Sequence, residues 1–286
     1  MTNPLIAARD DFTASHPEAR AILNGRDWGL FDTGSPGPDA PVLVLIPGTL
    51  GRGDIFWNQI LALKGRARVI AVSYPASGGV ADWAGDLVAL LDRLKLDRVA
   101  MLGSSLGGFL AQYIAALHPD RVAHLFAANT LSDGTGLDQR PPYSSDLDAA
   151  PITELRAGFS TALEGWRKAH PDQSDLVDLL LAEVGGRILE PEMRARLNAL
   201  KRAPRMPAPV LTGDRVTTIE SDDDPLIPPQ MRAMVRAALS PAVAYRFLWG
   251  GHFPYAIRTA DYTAILETAL GLPPGADWGT GPERTK

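Results

Sequence analysis

From residue 41 onward the chain alternates short, continuous apolar runs with longer amphipathic stretches. Pro41 to Gly48 (PVLVLIPG), Arg68 to Pro75 (RVIAVSYP), Arg98 to Ser105 (RVAMLGSS) and Arg121 to Asn129 (RVAHLFAAN) each read as a strand buried on both faces. Between them, DIFWNQILALKG, GVADWAGDLVALLDRLKL and LGGFLAQYIAALHP carry apolar residues at three-to-four spacing, which predicts crossover helices. That succession predicts an α/β protein with a doubly wound, mostly parallel sheet. Upstream, DWGLFDTGSPGPDAP reads as a leading hairpin strand followed by a Gly/Pro turn.

The rhythm breaks after Ser132. From 133 to 209 the periodicity is helical without intervening strands, as in ITELRAGFSTALEGWRKAH, DLVDLLLAEVGGRIL and PEMRARLNALKRA. It resumes with RVTTIES (Arg215 to Ser221), the helix PPQMRAMVRAAL, the strand VAYRFLWG (Val243 to Gly250) and the helix DYTAILETAL. The expected organisation is therefore one core built from 1–132 and 210–272, with 133–209 inserted as a helical cap. The Pro/Gly-rich residues 273–286 are expected to form a loose tail.

Composition narrows the function classes. Thirty-three acidic against 28 basic residues, with no long run of either sign, leave no phosphate-tracking groove, so nucleic acid is not expected as a partner. The absence of cysteine removes disulfides, thiolate nucleophiles and cysteine-ligated zinc. The opening MTNPLIAARDDFTASHPEAR has no basic leader followed by an apolar run, and no stretch is long enough to span a membrane, so a cytoplasmic protein is expected.

The candidate chemistry begins at Gly103-Ser104-Ser105-Leu106-Gly107, a G-x-S-x-G sequence where a predicted strand turns straight into a predicted helix. A residue at the centre of such a turn is forced into strained backbone that lifts its side chain clear of the sheet. Glycines two before and two after leave room for strand and helix to close in. Ser105 is thereby marked as a nucleophile. The N-terminal N–H groups of the following helix favour negative charge beside it. A phosphate-cradling turn would carry G-x-G-x-x-G or end in G-K-S/T, and this one does neither.

A serine hydroxyl needs a base within reach. Of the five histidines, His16 lies in the polar N-terminal segment and His170 in the inserted region. His118 reads as a helix C-cap and His124 as a core residue within a strand. His252, in the glycine-flanked LWGGHFPY after the last predicted strand, stands at the same carboxyl edge of the sheet as Ser105. For the acid that would orient it, ESDDDPLIPP offers Asp222, Asp223 and Asp224, and Asp133 ends the strand after the elbow helix. Two backbone donors are expected to hold an oxyanion: the N–H of Leu106 and the N–H of Thr49, in the loop after VLVLIPG. No metal or organic cofactor is called for. Trp57, Phe109, Trp166, Phe253 and Tyr255 are candidates for an apolar pocket or for plain core, with Phe253 the first choice for substrate binding.

On these residues the chain from about Trp28 to Leu272 resembles the α/β-hydrolase superfamily of the serine type. The resemblance implies the order Ser, Asp, His along the chain. It selects Asp224, which stands before Pro225 and four before Pro228 as in the D-x-x-x-P ending of that loop, and ranks Asp133 second. Pro47-Gly48 departs from the commoner His-Gly, at no cost to a role carried by backbone. FWNQILALKGRARVIAVSYP, LDRVAMLGSSLGGFLAQYIAALHPDRV, NTLSDGT and GGHFPYAIRTADY resemble the maspardin-like branch. That branch implies a binding and trafficking-related role and a counterpart of the His252 loop without histidine. Ser105, Asp224 and His252 together depart from it toward activity. The expectation is a serine hydrolase that cleaves a carboxylic ester or related small-molecule acyl compound through an acyl-enzyme on Ser105. The alternative is a non-catalytic binding protein on the same scaffold.

Overall fold

In the computed structural model, which describes residues 3–286, the apolar runs lie side by side in one sheet. In chain order the elements are α1 (Pro4–Ser15), β1 (Ala19–Leu23), β2 (Arg26–Asp32), β3 (Val42–Ile46), α2 (Trp57–Leu63), β4 (Arg68–Ser73), α3 (Val80–Arg93), β5 (Val99–Ser104), α4 (Leu106–Leu117) and β6 (Val122–Ala128). There follow α5 (Ile152–Ala169), α6 (Ser174–Ala182), α7 (Glu190–Lys201), β7 (Val216–Ser221), α8 (Pro229–Leu239), β8 (Val243–Phe247), α9 (Pro254–Ile257), α10 (Thr259–Ala269) and β9 (Glu283–Thr285).

The strands of the described residues run in the order β1-β2-β4-β3-β5-β6-β7-β8-β9. β2 pairs antiparallel with β1 and β4, and every other neighbouring pair is parallel. The doubly wound, mostly parallel α/β sheet read from the sequence is the observed fold. Alternate residues of β3 show why its run is continuously apolar: Leu43 and Leu45 join the core beneath α2 and α10, while Val44 and Ile46 join the core beneath α3, α4 and α8. The leading hairpin turns at Asn24-Gly25, both at positive φ, the two-residue connection whose twist matches the strands it joins.

Three local features lie outside the sequence reading or differ from it. The polar N-terminal segment forms α1, with Asn3 as N-cap accepting from the N–H groups of Leu5 and Ile6 at 3.0 Å each and Pro4 at the first helical position. Its Phe12 is buried, and Arg9 reaches the buried Glu183 of the inserted segment at 2.8 Å. The predicted helix over DLVDLLLAEVGGRIL stops at Ala182, and Glu183–Arg187 winds into a wider turn around Gly185-Gly186.

The third is a correction. Residues 273–286, expected to be loose, are tied to the sheet at two places, through the buried Trp278 and through β9, which runs parallel to β8. The anchor is one aromatic side chain, which periodicity does not reveal. The Trp278 indole meets Phe247 and Tyr245 edge-on at 4.9 and 5.1 Å and donates to the Asp261 carbonyl at 2.8 Å. No helix among the described residues is long and apolar enough to cross a membrane.

Truncating this anchor by Trp278→Ala is expected to cost about 3 kcal/mol, the low end for a large buried aromatic. Urea unfolding reads the cost, and a wild-type midpoint would show that the tail is not seated.

Candidate active site

The site starts from a steric coincidence at the end of β5. A Cβ on Gly103 would lie 1.9 Å from the Gly107 carbonyl oxygen, and one on Gly107 would lie 2.2 Å from that of Ile46. Only glycine permits strand and helix to come this close. Between them Ser105 takes φ +55° and ψ −120°, a conformation sparsely populated by residues with a side chain. The strain is held by backbone bonds on both sides: Ser105 donates its N–H to Ala128 at 3.0 Å, and its carbonyl accepts from the Phe109 N–H at 3.0 Å and the Thr130 hydroxyl at 2.6 Å.

His252 enters from the loop after β8. Its Nδ1 lies 2.8 and 3.0 Å from the two carboxylate oxygens of Asp224, and both side chains are buried. Asp224 is met by further donors: the N–H groups of Leu226 and Ile227 at 2.8 and 3.1 Å and the Asn129 amide at 2.9 Å. Burial pushes the Asp224 carboxyl up, but His252, Asn129 and the Leu226 N–H outweigh it and hold the group below its ordinary value of 3.8. A persistently ionised carboxylate facing Nδ1 fixes the imidazole with Nε2 free to accept a proton.

The neighbouring acids have other tasks. Asp222 forms a bidentate pair with Arg246 at 2.6 and 2.8 Å. Asp223 accepts from the N–H groups of Gly250 and Gly251 at 3.2 and 2.8 Å, bracing the loop that carries His252. Asp133 is exposed and accepts from the N–H and hydroxyl of Thr135 at 2.9 and 2.7 Å, closing its own turn. The structure thus brings Asp224, and not Asp133, to His252. The remaining histidines cap or pack. His118, His170 and His16 end helices. His124, lowered to about 4 by burial and Arg215, sits 2.9 Å from the Thr217 hydroxyl.

Ser105 and His252 line one cavity of about 850 Å³ with Thr49, Phe253 and Trp166. Phe253 stands edge-on to His252 at 5.1 Å. Trp57, Phe109 and Tyr255 are core residues away from this wall. α5 and α6 contribute most of the opposite wall through apolar side chains such as Leu155, Phe159, Leu163 and Leu180. Among the described residues, the N–H groups of Thr49 and Leu106 donate to no acceptor of the chain. The Ser105 hydroxyl likewise makes no side-chain hydrogen bond there.

Two participants escaped the sequence reading. Asn129, at φ +41°, turns its amide from the end of β6 onto Asp224 and the Gly251 carbonyl, at 2.9 and 3.3 Å. The polar residue closing a strand run was its only mark. Tyr143 lines the cavity with its phenol raised to about 12 by burial, against the opposing pull of Thr49, so it stays neutral. Nothing local in the sequence marks it.

Fold and site together define a class, and the alpha/beta hydrolase fold family model matches residues 41–258. The chain belongs to that family. It is similar to maspardin from Danio rerio, 26% identical over 265 residues, covering 91% of this chain and 84% of that protein. Among solved structures, a hydrolase from Pseudomonas aeruginosa PA01 is similar with a TM-score of 0.73 at 19% identity, covering 89% of this chain and 98% of that one. The enol-lactonase from Burkholderia xenovorans LB400 gives 0.72 at 17% identity, covering 88% and 100%. At these identities the structural likenesses bear on the fold alone.

The depressed Asp224 carboxyl carries a stability signature. A group whose folded value lies below its unfolded value adds stability that is fully present above the unfolded value and is lost as pH falls through the folded one. Asp224→Asn is therefore expected to destabilise the protein by about 1 to 3 kcal/mol near neutral pH, with the difference shrinking below about pH 4. Urea unfolding across that range reads it, and a deficit independent of pH would contradict the assignment of the charge.

Proposed function

We propose that the chain is a serine hydrolase that cleaves a carboxylic ester or related acyl compound through an acyl-enzyme on Ser105. The observation that carries this reading is the buried His252–Asp224 pair, 2.8 Å between Nδ1 and the nearer carboxylate oxygen, with His252 on the wall of the cavity that Ser105 also lines.

The steps follow from the groups present. Ser105 Oγ attacks the substrate carbonyl carbon as His252 Nε2 takes its proton, and the carbonyl π electrons move to oxygen. The Thr49 and Leu106 N–H groups hold that oxyanion, helped by the N-terminus of α4. His252 then gives its proton to the leaving alcohol oxygen as the C–O bond breaks. A water molecule, deprotonated by the same imidazole, attacks the acyl-enzyme and releases acid and serine. General base catalysis contributes about 10²- to 10⁴-fold and an oxyanion donor about 10²- to 10³-fold. No step calls for a metal or an organic cofactor. The apolar wall, with Phe253 beside His252, favours an uncharged apolar acyl group.

The likeness to maspardin over most of the chain, together with an unengaged Ser105 hydroxyl, favours a second reading: a binding protein that uses the same cavity without turnover. A fluorophosphonate probe separates the two. Stoichiometric labelling and hydrolysis of p-nitrophenyl esters, both falling about 10³-fold or more in Ser105→Ala, are expected of the hydrolase. A folded wild-type protein that neither labels nor hydrolyses would be the binding protein.

A further inference from the structure

Two buried side chains grip the loop that holds Thr49 through three hydrogen bonds. The Tyr74 hydroxyl donates to the Pro47 carbonyl at 2.9 Å, and Nη1 of Arg196 donates to the carbonyls of Thr49 at 3.0 Å and Gly51 at 2.8 Å. The Gly51 N–H closes the turn on the Gly48 carbonyl at 3.2 Å. Alternate carbonyls are thus fixed from outside the loop, and the Thr49 N–H between them is left without an acceptor among the described residues.

Arg196 is an expensive way to do this. Its side chain is 0% exposed, and its Nε and Nη2 have no hydrogen-bond partner. Nη2 is 3.5 Å from Glu192, and the guanidinium lies over the Tyr74 ring at 5.3 Å. An apolar residue of similar volume would fill the space without the desolvation cost. Such a charge is retained where its donors are needed, and here they meet backbone carbonyls of one turn.

Resting on the hydrolase reading above, we infer that Arg196 is a positioning residue for the oxyanion hole: from α7, in the helical insertion, it sets the orientation of the Thr49 N–H. The Thr49 N–H shares its peptide plane with the Gly48 carbonyl, which the Gly51 N–H holds, and Arg196 braces that turn through the carbonyls of Thr49 and Gly51. With the turn closed between Gly48 and Gly51, the N–H keeps one direction and need not reorganise as charge develops on the substrate oxygen. The loop is tied to the same helix a second time, because Arg52 pairs with Glu192 of α7 at 2.9 Å. The insertion therefore does more than roof the cavity. It holds half of the apparatus that stabilises the transition state.

The test compares wild type with Arg196→Met and Arg196→Lys, each checked for fold by circular dichroism, on a p-nitrophenyl ester. The methionine variant is expected to lose about 10- to 100-fold in kcat with KM within about twofold. A trifluoromethyl ketone, which forms a tetrahedral adduct on serine, should lose affinity in parallel, while the product carboxylic acid binds as before. Lysine, which keeps the charge but falls short of the second carbonyl, should restore part of the loss. A folded methionine variant with wild-type kcat and ketone affinity overturns the proposal. Should methionine prevent folding, a folded lysine variant with both values at wild type overturns it equally. An inert wild-type protein would instead remove the hydrolase reading and this inference with it.

Discussion

The contact on which the site depends is the one between Gly103, Gly107 and the end of β3. With would-be Cβ atoms 1.9 and 2.2 Å from backbone oxygens, neither position tolerates any side chain without moving β5, α4 or β3. This closeness leaves Ser105 no relaxed conformation. The cost of such backbone is on the order of 1 to 3 kcal/mol, sustained because the flanking strands are buried on both faces and cannot yield. In return the Ser105 side chain stands at the N-terminus of α4, on the wall of the cavity that His252 also lines. The remaining groups only have to be delivered there, and a parallel sheet does so through the loops at the carboxyl ends of its strands.

The delivery is electrostatically coupled. Asp224 is buried, yet it is held ionised by a set of donors gathered from the loops after β6, β7 and β8. Asp223 performs a similar service one residue away, pinning the Gly250-Gly251 backbone that presents His252. The two acids thus divide the work between orienting the ring and holding its loop. On the opposite side, Tyr74 and Arg196 grip the turn after β3. In the reading offered here, a scaffold similar in sequence to maspardin keeps a complete set of acyl-transfer groups.

The parallel strands were legible because burial on both faces leaves continuous apolar runs, and crossover helices leave a different period between them. Ser105 and His252 were legible because glycines mark the tight places where backbone must approach or turn. What was hidden shares a physical cause: it depends on contacts between residues far apart in sequence. α1 is secured by Phe12 and by Arg9 reaching Glu183, the C-terminal residues by Trp278, and the acid by Asn129, none of which sits in a periodic pattern. The choice of Asp224 among Asp222, Asp223 and Asp224 rests on the resemblance and its D-x-x-x-P ending, not on periodicity. In the structure it is decided by which carboxylate the loop turns inward, and Arg246 and the Gly250-Gly251 N–H groups take the other two.

The central claim is geometric: one serine, one imidazole and two backbone donors share a reaction centre. A crystal structure of the protein after treatment with a p-nitrophenyl phosphonate ester tests it most directly. The account predicts phosphorus bonded to Ser105 Oγ, a phosphonyl oxygen about 2.7 to 3.1 Å from the N atoms of both Thr49 and Leu106, and His252 Nε2 within hydrogen-bond reach of the adduct. An adduct whose oxygen turns away from both N–H groups, or a folded protein that forms none, would contradict it.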